Sequence, residues 1–98
     1  MDFQYIFDPD KNAKLKRERG ISFEDVIVAI EQGYLRDVRP HHDPEKYATQ
    51  DILVVEIHRY IYLVPCIQKG QLLIMKTVYP SRKATAFYLD KPEPSHDS

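Results

Sequence analysis

The sequence predicts a single α+β domain, a helical hairpin followed by an antiparallel sheet. Three observations carry this. Helix-forming residues, with caps before them and glycines after them, occupy residues 8–33. From Ile52 to Tyr79 the apolar pattern changes to short β-rich runs separated by tight polar turns. The chain has 98 residues, 43% hydrophobic and 30% charged, which suits one ordinary core.

The elements follow in order. Phe3-Gln4-Tyr5-Ile6-Phe7 alternates large side chains and suits a short strand. Asp8 can cap a helix, and Pro9 fits its first position, where a missing N–H costs nothing. The stretch to Arg19 is rich in Lys, Arg, Ala and Leu, all good helix formers. Its apolar stripe is thin, only Ala13 and Leu15, while Lys11, Lys14, Lys16, Arg17 and Arg19 make it cationic. Gly20 stops it. Ser22 and Asp25 then have capping-box spacing, with Ile21 and Val26 at staple positions. The second helix directs Phe23, Val26, Ile27, Ala29 and Ile30 to a core, and Gly33 ends it.

Tyr34 to Val38 reads as a short strand, and Arg39 to Gln50 as a loop long enough for a functional role. Ile52–Ile57, Tyr60–Ile67 and Leu72–Tyr79 form a meander with turns at His58-Arg59 and Gln68 to Gln71. Pro65 cannot donate to a ladder, so it belongs at a bulge or a strand end. The domain is expected to span residues 1–90, followed by a disordered polar tail over 91–98.

Composition excludes several classes. The net charge of −1 gives no general attraction to nucleic acid, so a binder must gather its cations on one face. The one cysteine, Cys66, lies in an apolar run and reads as a small buried hydrophobe. No signal peptide opens the chain, and no run approaches the roughly 20 apolar residues of a membrane span. A cytoplasmic protein is expected.

The most suggestive run is Val78-Tyr79-Pro80-Ser81-Arg82-Lys83-Ala84-Thr85. Adjacent cations at the start of a polar turn or short helix suit a phosphate oxyanion; the plainer reading is a solvated helix start. His58 can act as acid or base from its turn, or simply be solvated there. Glu24 sits where a helix dipole favours an anion, or orients a cation nearby. Glu56, the charged residue of its strand, can pair with Lys76 or face a site. His41-His42-Asp43 has metal-ligand types but too few ligands for a structural zinc site. Tyr60 and Tyr62 share a strand face, and with Tyr79 they either stack bases or pack half-buried.

Taken in order, Phe7-Asp8-Pro9-Asp10-Lys11-Asn12, Arg19-Gly20-Ile21-Ser22-Phe23-Glu24 and Ser81-Arg82-Lys83-Ala84-Thr85 resemble the BrnT family of type II toxins. The resemblance runs from about Phe3 to Tyr88. It implies a RelE-like fold: two N-terminal helices on a curved antiparallel sheet of three to five strands, with a short C-terminal helix. It also implies an endoribonuclease neutralised by a small DNA-binding antitoxin, as a complex with two copies of each chain or as a toxin homodimer. Cleavage by an RNA 2′-hydroxyl would need no cofactor and no metal. By position, Arg82 with Arg19 and Lys83 would hold the phosphate. Glu24 would be base or orienting group, with His58 as a further acid–base candidate. Lys16, Arg59 and Tyr79 are candidate substrate contacts. Arg19 stands where family members often carry histidine, which removes one acid–base group. The competing expectation is a non-catalytic module that holds a protein partner through the tyrosine-bearing sheet face and the basic first helix.

Overall fold

The computed structural model describes residues 3–41, 43, 45, 46 and 49–89. The elements are β1 (Gln4–Ile6), α1 (Pro9–Arg19), α2 (Phe23–Glu31), β2 (Leu35–Pro40), β3 (Asp51–Ile57), β4 (Tyr60–Lys69), β5 (Leu72–Met75), β6 (Tyr79–Pro80) and α3 (Arg82–Tyr88). The result is an α+β fold with a mixed sheet. The expected tail over 91–98 lies outside the described residues.

Local signals set the helices as expected. Asp8 accepts the Asp10 N–H at 3.0 Å, and Gly20 closes α1 in the left-handed region at φ 65°. The Ser22–Asp25 box closes reciprocally at 3.1 and 3.0 Å. Ser81 caps α3 by accepting the Ala84 N–H.

The sheet corrects the expectation of three to five antiparallel strands. Among the described residues it has six, ordered β1-β5-β4-β3-β2, with β6 also beside β4. β1 runs parallel to β5, pairing Gln4 with Leu72 and Ile6 with Ile74. A strand that leads into a helical crossover can join a sheet parallel, which a tight hairpin cannot do. The run Leu72–Tyr79 is also two strands, because the register against β4 steps by one residue between Cys66↔Met75 and Leu63↔Tyr79. Pro65 faces that irregular stretch. Its carbonyl accepts the Lys76 N–H at 2.8 Å, and it has no N–H to return.

Two further corrections concern β2. The strand continues through Pro40, so the loop starts at His41 rather than Arg39. Glu56 pairs with Arg36 rather than Lys76, accepting from Nε and Nη2 at 2.9 and 2.6 Å. β2 is the strand beside β3, whereas Lys76 lies beyond β4. As the terminal strand, β2 has a protected edge. The Val38 N–H is taken by its neighbour Asp37 at 2.8 Å, and Pro40 has no N–H.

Alternation along β3 gives each face of the sheet its own cover. Leu53, Val55 and Ile57 join Leu15, Ile21, Phe23, Val26 and Ala29 beneath the helical hairpin, where Phe7 stacks on Phe23 at 5.0 Å. Val54 and Ile61 pack on the other face with Ala84 of α3. Cys66 is in the first cluster, and burial pushes its thiol up to about 11. Among the described residues, no helix is long and apolar enough to cross a membrane.

Candidate functional site

Two turns of helix build the first part of the site. The thin apolar stripe of α1 turns Leu15 and Asn12 inward and leaves its cations outside. Asn12 spans the helical hairpin. Its Oδ1 accepts the Phe23 N–H at 2.7 Å, and its Nδ2 donates to the Glu24 carboxylate at 2.8 Å. The side chain thus satisfies a free N–H in the first turn of α2 and fixes Glu24 beside α1. Lys16 stands 3.7 Å from the same carboxylate oxygen. The Asn12 hydrogen bond, with Lys16 as a smaller contributor, holds the Glu24 carboxyl below its ordinary value. A carboxylate held in this way has a reduced proton affinity, so it orients a cation better than it accepts a proton.

Arg19, in the last turn of α1, reaches the sheet edge. Its Nη1 donates to the Val78 carbonyl at 2.7 Å, in the irregular stretch just before β6. Tyr79 follows in β6 and is half-buried. The Ser81 N–H bonds to the Ile61 carbonyl at 3.0 Å, which places the start of α3 beside the start of β4. Arg82 is the first residue of α3 and is exposed. Thr85 fastens that helix: its hydroxyl accepts the buried Ile61 N–H at 2.9 Å and donates to the Ser81 carbonyl at 2.8 Å.

The remaining candidates lie in two separate hollows. Lys83 lines a groove of about 300 Å³ beneath α3, with Arg39, Leu63, Ser81, Ala84 and Phe87. His58 and Arg59 line a cavity of about 520 Å³ between the β3–β4 turn and the outer side of α2, where Asp25 and Val28 lie. Both turn residues have positive φ, 52° and 64°. A two-residue hairpin turn of type I′ has positive φ at both positions, which Arg59 in particular does not favour.

The structure therefore links Lys16 to Glu24 and, separately, carries Arg19 to the segment that leads into Arg82. It places Lys83 in the groove on the α3 side of the sheet and His58 with Arg59 in the α2 cavity. Sequence reading missed two members. Asn12 was legible only as part of a motif, without a role. Arg39 was assigned to a loop, whereas it faces Lys83 across the groove from β2. Of the metal-type cluster, His42 lies outside the described residues, and His41 Nδ1 accepts the Asp43 N–H at 3.1 Å. No protein-family model matches the chain, and no curated protein or solved structure shows significant similarity to it.

Proposed function

We propose that this chain is an RNA-cleaving toxin of a type II toxin–antitoxin pair, with a RelE-like fold and a cytoplasmic site of action. The observation that carries this reading is the Arg19–Val78 hydrogen bond. It joins the cationic end of α1 to the strand that delivers Arg82. That bond occupies one of the five guanidinium donors and leaves the others for an oxyanion.

In the reaction, an RNA 2′-hydroxyl loses its proton and attacks the adjacent phosphorus. The bond to the 5′ oxygen breaks, and that oxygen takes up a proton. Arg82 and Arg19 stabilise the added negative charge on the phosphorane. Glu24 stays ionised and fixes Lys16. Arg59 and Tyr79 contact the flanking nucleotides. The antitoxin, an acidic or apolar segment of a DNA-binding protein, covers the cations in a complex with two copies of each chain.

The test is expression of wild type and Arg82→Ala with growth and RNA integrity read together, then cleavage by the purified proteins. Arg82→Ala is expected to keep the fold and lose cleavage by on the order of 10² or more. Equal activity of the two purified proteins would remove Arg82 from the site. A second reading, a non-catalytic module for a protein partner, is favoured by one observation. Phe87 is 59% exposed in the groove between Arg39 and Lys83. Accumulation of wild type without growth arrest or RNA cleavage would select that reading.

A further inference from the structure

The outer face of α1 is a strongly charged surface of which the proposed chemistry uses only Lys16 and Arg19. Five cations against Asp10 and Glu18 give this helix a net charge of +3, in a chain whose total is −1. The rest of the molecule therefore carries −4, so the positive potential is concentrated on one element. Nine of the eleven α1 residues are exposed, all except Asn12 and Leu15.

Lys11, Lys14 and Arg17 recur every third residue along this face. At 1.5 Å per residue they rise about 4.5 Å per step. None of them has a carboxylate partner among the described residues, where the ion pairs are Lys16–Glu24 and Arg36–Glu56. Asp10, four residues before Lys14, has the spacing that supports a helical ion pair and forms none with it. Glu18 has that spacing from Lys14 and forms no ion pair with it. The ridge runs toward the end of α1 where Arg19 meets Val78.

We infer that Lys11, Lys14 and Arg17 form a rail for the phosphate backbone of single-stranded RNA, outside the cleavage site. The inference rests on the RNA reading above and extends it to a second contact surface. The rail binds charge without reading bases, so it raises affinity for long strands and leaves sequence preference unchanged. Each phosphate it neutralises releases counterions and steepens the salt dependence of binding.

The test uses the full chain and a 2′-O-methylated single strand of about 20 nucleotides, longer than the span one small domain covers. Such a strand keeps its phosphates and cannot undergo 2′-hydroxyl attack. The variant is K11Q/K14Q/R17Q. Glutamine is a good helix former, and circular dichroism checks that the fold is kept. The slope of log affinity against log salt is expected to flatten by about 2, from roughly 0.7 per lost phosphate contact on a single strand. Cleavage of a dinucleotide, too short to reach the rail, is expected to be unchanged. An unchanged slope would overturn the rail. So would binding of wild type to anionic vesicles but not to RNA. A flattened slope in a protein that cleaves no RNA supports the rail and removes the cleavage reading, so the two claims fail separately.

Discussion

Where α1 and α2 cover the sheet, thirteen of the described residues form one buried cluster; where α3 covers it, three do. The two faces are held by different physics. The hairpin face relies on apolar burial, which is strong, additive and nearly indifferent to direction. The α3 face relies on directed polar bonds: the Thr85 hydroxyl to the Ile61 N–H, and the Tyr88 hydroxyl to Asp37 at 2.6 Å. Small elements with little buried area open at lower free energy than the core. Under the proposed function, Arg82 and Lys83 ride on the less stable face and Arg19 on the more stable one. The Arg19–Val78 bond stays on the hairpin side, where Val78 is buried, three residues before Ser81 opens α3.

The largest effect should come from the hairpin face. Phe23 is fully buried and stacks on Phe7. Phe23→Ala removes that ring from a packed site and is expected to cost about 3–5 kcal/mol. The measurement is the urea midpoint, with the slope m checked for two-state behaviour. A loss under about 1 kcal/mol would mean that the hairpin is not the stable face.

Asn12 sharpens the comparison, because it is a polar bolt within the apolar side. Asn12→Ala leaves the buried Phe23 N–H without a partner and is expected to cost about 1–3 kcal/mol. It also removes the principal cause that holds the Glu24 carboxyl below its ordinary value, so that carboxyl should titrate at higher pH. Carbon-13 NMR of that carboxyl separates this local effect from loss of fold. An unchanged Glu24 titration in folded Asn12→Ala would place its control elsewhere.

The elements of the hairpin were legible because their signals are local. Asp8, Gly20, Ser22 and Asp25 act within four residues of themselves, and each performs the role its spacing implies. The parallel β1–β5 pair was not legible, since Gln4 and Leu72 carry no mark of their partnership. The split of β5 from β6 was half visible. Pro65 announces an irregularity without saying which neighbouring strand will show it. Site residues follow the same rule. Ser81 and Arg82 open a helix as read, whereas the Asn12 bridge and the Arg39–Lys83 groove depend on contacts between distant segments.

The smallest expected effect lies on the α3 face and shows itself through pH. Asp37 accepts from Tyr88, and that bond is the largest reason its carboxyl is lowered. Tyr88 is raised, first by burial and then by the same bond. The two shifts have opposite consequences. A lowered carboxyl stabilises the fold above its unfolded value, and that contribution is lost as pH falls through the folded one. A raised phenol stabilises the fold below its unfolded value, and that contribution is lost as pH rises through the folded one. The clasp between α3 and β2 should therefore be strongest between the carboxylate and tyrosine ranges and weaken on both sides. Tyr88→Phe keeps the ring against the sheet and removes the hydroxyl. It is expected to flatten the acid limb of the stability–pH curve and reduce the alkaline limb, where Tyr5, pushed up to about 12 by burial, still contributes. The loss at neutral pH should be smaller than for either substitution above, with hydrogen exchange rising first in α3. Equal loss of protection in α1 and α3 would mean that the two faces open together, and the contrast between them would not hold.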